Sequence, residues 1–154
     1  MMRSLENRIP PPVVGALVAA LMWSISGLGP RLPITPGASY LLAALFAVAG
    51  VTFDLLGILA FRASRTTINP LKPERASALV TGGVYRVTRN PMYVGLALLL
   101  LAWASYLSAL LPFVGPVVLV LWITRFQIRP EERVLQGIFG EAYSSYAARV
   151  RRWL

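Results

Sequence analysis

Cysteine and histidine are both missing from the 154 residues. Disulfides, thiol nucleophiles, histidine-ligated haem, histidine-box di-iron centres and ordinary zinc sites each need one or the other. A Ser-His-Asp triad is excluded for the same reason. Charge is scarce as well: 14% of the residues are charged, and 6 acids stand against 15 lysines and arginines. Any chemistry must come from Glu, Asp, Arg, Tyr, Asn, backbone groups and a bound cofactor.

What remains is apolar. Hydrophobic residues make up 56% of the chain, which suits one small membrane domain better than a soluble one. A net charge of +9 is a common mark of nucleic-acid binding. Here, however, the arginines sit between apolar runs and form no single basic face with exposed aromatics. They read as the flanks of membrane spans, so the expected partners are membrane lipids and no nucleic acid.

The first apolar run, VVGALVAALMWSISGLG at 13–29, follows MMRSLENRIPPP. Three further runs favour a first span over a cleaved signal peptide. Residues 40–61 form the second run, with Asp54 as its one charge; as a helix it measures roughly 33 Å, enough to cross a bilayer. A polar connection at 62–90 contains six arginines and lysines, and Pro70 and Pro73 argue against continuous helix there. A connection of that length is usually functional or disordered.

Residues 91–124 carry no charge. One straight helix would reach about 51 Å, too long for a hydrocarbon core of about 30 Å. Ser105, Ser108, Pro112, Gly115 and Pro116 favour a hairpin of two spans, near 91–107 and 110–126. Four spans put the N-terminus, the connection and the tail on one side, which then holds every Lys and Arg except Arg31. The positive-inside rule assigns that side to the cytoplasm, in the inner membrane of a bacterial or archaeal cell. The tail reads as an amphipathic interfacial helix at 130–152, with Val134, Leu135, Ile138, Phe139, Ala142, Tyr146 and Val150 at helical spacing. The expected fold is thus one all-α membrane bundle spanning 1–154, with about four transmembrane helices.

Polar chemistry concentrates at the membrane edge. Gly82-Gly83 fits a turn, and no Gly-rich nucleotide fingerprint follows a strand. In Arg89-Asn90-Pro91-x-Tyr93-x-Gly95, an interface belt explains Arg, Tyr and Pro, while Gly95 permits close approach of a backbone or ligand. Glu131-Glu132 suit a helix start, and equally a hydroxylated or cationic ligand. Asp54 lies within the hydrocarbon, where a carboxylate usually faces the bundle interior and pairs. Arg125 is its candidate partner; active-site lining is the other reading.

Taken together, LVTGGVYRVTRNPMYVG, the charge-free hairpin and RPEERVLQGIFGEAYSSYAARVRRWL resemble the isoprenylcysteine carboxyl methyltransferase family. Phospholipid N-methyltransferases are its more distant relatives. The resemblance covers about 66–153. It implies an integral membrane methyltransferase that encloses S-adenosyl-L-methionine between the polar connection, the start of the third span and the tail. The matching cofactor positions are Ser77, Ala78, Leu79, Val80, Tyr85, Asn90, Pro91, Met92, Tyr93 and Glu131. Family members often have His-Pro where this chain has Asn90-Pro91; Asn can still donate and accept hydrogen bonds. The resemblance also implies an arginine that orients the acceptor, at Arg125 or Arg129.

Methyl transfer from a sulfonium needs no metal and no enzyme nucleophile, only alignment of donor and acceptor. The acceptor implied is lipophilic, a small molecule or a lipid-modified substrate. A carboxylate is ionised at neutral pH, whereas an ammonium must first lose a proton, and the chain has no histidine to take it. Carboxyl O-methylation of a prenylcysteine-like or other lipophilic carboxylate is therefore expected ahead of phospholipid N-methylation. An NADPH-dependent reductase of the sterol-reductase kind is a further alternative, made less favourable by the short tail up to Leu154. The non-enzymatic alternative is a small membrane protein whose polar residues are interface anchors.

Overall fold

The computed structural model describes residues 6, 8–64 and 78–154. Proline opens the helices. Pro11, Pro36, Pro91 and Pro130 each stand in the first turn, where a missing N–H costs nothing. The helices are α1 (Pro11–Ile25), α2 (Pro36–Ala63), α3 (Pro91–Leu107), α4 (Val114–Ile123) and α5 (Arg129–Arg149). Thr35 caps α2 by accepting from the Ala38 N–H at 3.3 Å, satisfying one of the donors a helix start leaves free. Among the described residues the β pairing is one isolated bridge, between Arg31 and Ala109.

The fourth span and the tail are not separate helices, as the sequence suggests. A 3-10 turn at Leu111–Phe113 leads into α4, a π-helical turn at Thr124–Ile128 follows, and α5 continues from it. Pro130 cannot donate to the carbonyl one turn earlier, and the wider π turn just before it absorbs that mismatch. The break falls instead at Gly140, whose φ of 51° and ψ of −122° suit a residue without a side chain. Similarly, α1 stops at Ile25 instead of running to residue 29, and α2 extends beyond 40–61 at both ends.

Two helices, Pro36–Ala63 and Leu111–Phe139, are long and apolar enough to cross a membrane, while Pro11–Ile25 and Pro91–Leu107 are shorter apolar helices. The charge-free part of the second rod ends at Thr124. The fold is an all-α membrane bundle.

Its core lies where α1 meets α3 and α4. Val14, Val18 and Met22 pack with Leu100, Ala104, Leu119 and Ile123, and Gly115 leaves room for Met22. The Trp103 indole N–H donates to the Ala19 carbonyl at 3.1 Å. The α2–α3 contact is built differently, on small residues. A Cβ on Gly50 would lie 2.9 Å from the Gly95 carbonyl oxygen, and one on Gly57 would lie 2.9 Å from Met92 Cγ. Backbones approach this closely in membrane helix pairs, where lipid offers no hydrophobic drive for association. The outer face of α2, with Leu41, Leu45, Val48, Leu55 and Leu59, stays exposed, as a lipid-facing surface should.

At one end of the bundle the α1–α2 and α3–α4 connections meet, with Leu110 N–H donating to Pro30 and Leu32 N–H to Ser108. At the other end Arg89 N–H donates to the Arg151 carbonyl at 2.9 Å, and Arg133 meets Glu6. Glu6, the C-terminal residues and residues 78–90 therefore share one side of the molecule.

Candidate active site

The approach to α3 begins with Ala78 and Leu79, half-buried, and Val80, buried. Gly83 has φ +59°, the left-handed geometry that explains one of the two glycines. It opens a 3-10 turn, Gly83–Arg86, which buries Tyr85. The Tyr85 ring meets Phe61 of α2 edge-on, with centroids 5.5 Å apart. Its carbonyl accepts from the Tyr146 hydroxyl at 2.8 Å. One turn thus ties the connection to both α2 and the tail.

Pro91 is buried at the start of α3, and Met92 fills the space over Gly57. The next residue carries the central contact. Tyr93 donates its hydroxyl to Glu131 Oε1 at 2.6 Å, joining α3 to α5. Glu131 lies about two turns beyond Thr124, outside the charge-free stretch. It keeps some accessible surface, yet protein surrounds it closely. Burial pushes its carboxyl up to about 8; the Tyr93 hydrogen bond opposes that rise and the neighbouring Glu132 carboxylate adds to it. Burial likewise pushes Tyr85 well up, with Tyr146 and Glu131 contributing.

Glu132 faces elsewhere. It receives Arg89 at 2.9 Å and a two-pronged Arg152 guanidinium at 2.9 and 2.6 Å. That paired bond raises Arg152 further. The last residues come back across the α3 entry: the Arg152 carbonyl accepts from Asn90 Nδ2 at 2.9 Å and from Thr88 Oγ1 at 3.2 Å. Trp153 then donates to Thr124 Oγ1 at 3.0 Å. Connection, α3 entry, α5 and terminus form one hydrogen-bonded knot.

Of the residues expected from sequence, Tyr85, Asn90, Pro91, Met92, Tyr93 and Glu131 converge here, with Val80 buried nearby in the chain. Ser77 lies outside the described residues. The expected Asp54–Arg125 pair does not form. Arg125 instead bonds Glu6 at 3.2 Å, which Arg133 also holds at 2.6 Å, and its guanidinium lies 5.3 Å from the Phe126 ring centre. Asp54 packs its carboxylate against Gly95, so close that a Cβ there would collide with it. Arg129 is exposed and opens onto a cleft of about 570 Å³ on another flank of the rod. Sequence reasoning missed Glu6 and Arg152, and it singled out Arg89 without its partner Glu132. Nothing in a run such as RVRRW separates one arginine from its neighbours.

The donors and acceptors suit S-adenosylmethionine, which carries a sulfonium, an ammonium, a carboxylate and hydroxyls. Glu131 offers a shielded carboxylate whose Oε2 has no hydrogen-bond partner among the described residues, and Asn90 keeps its Oδ1 in the same condition. Held beside Tyr93, a carboxylate can neutralise a cationic centre; Asn90 can accept from a hydroxyl or ammonium.

Residues 38–142 match the family model described as Phospholipid methyltransferase. An uncharacterized protein of Haemophilus influenzae is 44% identical over 63 residues, which span 41% of this chain and all of that relative. No solved structure matches.

Proposed function

Because the chain belongs to the phospholipid methyltransferase family, within the isoprenylcysteine carboxyl methyltransferase-like membrane methyltransferases, we propose that it methylates a lipophilic acceptor using S-adenosylmethionine. The observation that carries this reading is the Tyr93–Glu131 hydrogen bond. It brings the Asn-Pro-x-Tyr entry of α3 and the Glu-Glu entry of α5 to one point at the membrane edge.

When bound, S-adenosylmethionine supplies a methyl group activated by its positive sulfur. Tyr93 fixes the Glu131 carboxyl, so the group is aimed before the ligand arrives and gives up its proton to a cationic ligand with little reorganisation. The knot of Asn90, Arg89, Glu132 and Arg152 holds α3 and α5 in register around that group. In-line transfer then depends on positioning the acceptor, to which such orientation contributes most of the acceleration. Arg125 suits an acceptor carboxylate: it sits at the last charge-free turn of the rod and already holds a carboxylate, that of Glu6. On this reading the acceptor arrives from the bilayer, displaces Glu6 and presents its anion to Arg125, and the product is a methyl ester.

A second reading, methylation of a lipid amine, draws on Asp54. Its carboxylate lies against Gly95, two residues beyond Tyr93, with no cationic partner among the described residues. A carboxylate so placed would orient an ammonium and take its proton.

Isothermal titration of the purified protein with S-adenosylhomocysteine and with NADPH tests the proposal. Binding of the first and not the second is the expected result. NADPH binding alone would redirect the assignment to a reductase. Binding of neither would leave a non-enzymatic membrane protein.

A further inference from the structure

The cleft beside Arg129 shares Arg89, Glu132 and Arg152 with the knot above but holds none of the groups assigned to the cofactor or acceptor. The Gly140 kink creates it by turning the second half of α5 back along the first. The Gln136 side-chain amide holds that bend, donating to the Gly140 carbonyl at 3.1 Å and to Ser144 Oγ at 2.9 Å. The space is about 570 Å³, and Arg89, Arg129, Arg133, Arg152, Glu132 and Tyr143 line it. Four guanidinium groups therefore face one carboxylate.

The hydrogen-bond balance of these walls is uneven. Glu132 is already bonded to Arg89 and Arg152, and Arg133 is engaged by Glu6. Among the described residues Arg129 has no carboxylate within ion-pair distance. The Arg89 Nε–H is buried and lacks an acceptor among the described residues. The Tyr143 ring is buried and lines the same space. A buried donor without an acceptor is costly and calls for an explanation. Donors that approach from three different elements exceed what the two oxygens of a carboxylate can accept. A phosphate group, with more oxygens in a tetrahedral array, matches them, and guanidinium is the side chain best shaped to bind it.

Position identifies the source of that phosphate. Arg129 stands about 7.5 Å along the rod beyond Thr124, the last residue of the charge-free stretch. This is the depth of lipid headgroups, on the side where Glu6, the C-terminal residues and residues 78–90 meet. We propose that the cleft is a binding site for the phosphate of an anionic membrane lipid, separate from the Tyr93–Glu131 site. The proposal does not depend on the methyltransferase reading.

Native mass spectrometry of the purified full-length protein in mild detergent tests it, with phosphatidylglycerol or phosphatidylcholine added. Phosphatidylglycerol should be retained in preference, and Arg129→Gln should lower retention about tenfold or more, the scale of a lost charge-assisted bond. Arg149→Gln removes the same charge from an exposed position outside the cleft and should leave retention unchanged. Tyr143→Phe should lower it by a smaller factor, and inorganic phosphate at high concentration should compete with the lipid. Equal losses in Arg129→Gln and Arg149→Gln would reduce the effect to general surface charge and overturn the site. Inorganic phosphate bound with no lipid retained would overturn the lipid assignment. Because Arg129 is exposed, its replacement should not unfold the protein, and a thermal melt of each variant checks this.

Discussion

Tyr93 and Glu131, 38 residues apart in the chain, are joined by a 2.6 Å hydrogen bond from the phenol to the carboxylate. Next to it, Glu132 is bonded to Arg89 and Arg152. Two adjacent acids on one helix thus face in different directions, about 100° apart, and serve different ends. Glu131 is available to a ligand; Glu132 is consumed in holding the terminus.

This division predicts opposite phenotypes. Glu131→Ala should weaken S-adenosylhomocysteine binding by about 1.5–3 kcal/mol, the range for a charge-assisted hydrogen bond. Glu132→Ala leaves two guanidinium groups without a partner and should lower stability by roughly 2–3 kcal/mol, less than a fully buried pair because Arg152 is partly exposed. Titration calorimetry and thermal unfolding of both variants measure this. Equal, small effects of both changes on binding would return the pair to a helix-dipole role.

The raised Glu131 carboxyl predicts a pH dependence. With its value pushed up to about 8 by burial, the unliganded site holds a proton at neutral pH, and a cationic ligand must expel it. S-adenosylmethionine affinity should therefore rise from about pH 6 to about pH 8, by at most tenfold per unit, and then level. The folded protein binds this proton more tightly than the unfolded chain. That contribution to stability is full below the ordinary value of 4.5 and is lost as pH rises toward 8. Glu131→Gln should flatten the binding profile; an unchanged slope in that variant would assign the proton to another group.

Much of this architecture was legible beforehand, for identifiable reasons. The charge-free stretch and the prolines placed α3 and the α3–α4 hairpin, because charge is costly inside a membrane span and a missing N–H costs nothing in a helix's first turn. The order of Asn90-Pro91-x-Tyr93 and Glu131 pointed to one site. Other features were hidden. The fourth span and the tail looked like two helices, and the π turn at Thr124–Ile128 joins them into one rod. Arg125 and Glu6 are 119 residues apart, and no periodicity links a lone acid before α1 to an arginine after α4. Arg152 could not be singled out within a basic run until its bond to Glu132 was seen.

The α2–α3 contact predicts a steric asymmetry among glycines. Gly95→Ala places a methyl against the Asp54 carboxylate and 2.8 Å from the Gly50 carbonyl oxygen. Overpacking of this kind costs about 1–3 kcal/mol. Gly137→Ala on α5 meets nothing within 4 Å and should be neutral or slightly stabilising. Asp54→Ala added to Gly95→Ala should recover only part of the loss, since the backbone contact remains. Full recovery would place the whole cost on the carboxylate.

The arginine distribution predicts the orientation. Glu6, the C-terminal residues and residues 78–90 share one side, as the Arg89–Arg151 and Arg133–Glu6 contacts require. The positive-inside rule assigns that side to the cytoplasm. Reporter fusions at residue 154 should be active only as cytoplasmic reporters. An outside location would reverse the expected entry of a water-soluble cofactor.

The acceptor separates the two remaining functional readings. A carboxylate needs no proton removed and only a guanidinium to orient it, and Arg125 already holds one carboxylate in Glu6. An amine needs a base, and with no histidine in the chain the group placed for the task is Asp54. Purified protein given labelled cofactor with a prenylcysteine analogue or with phosphatidylethanolamine distinguishes them. Base-labile methyl ester from the first, impaired by Arg125→Ala and little affected by Asp54→Asn, is the expected outcome. Glu6→Gln removes the carboxylate that the acceptor must displace, so under this reading it should lower the acceptor KM. Methyl transfer confined to the lipid amine, lost in Asp54→Asn and retained in Arg125→Ala, would overturn carboxyl methylation and establish the amine.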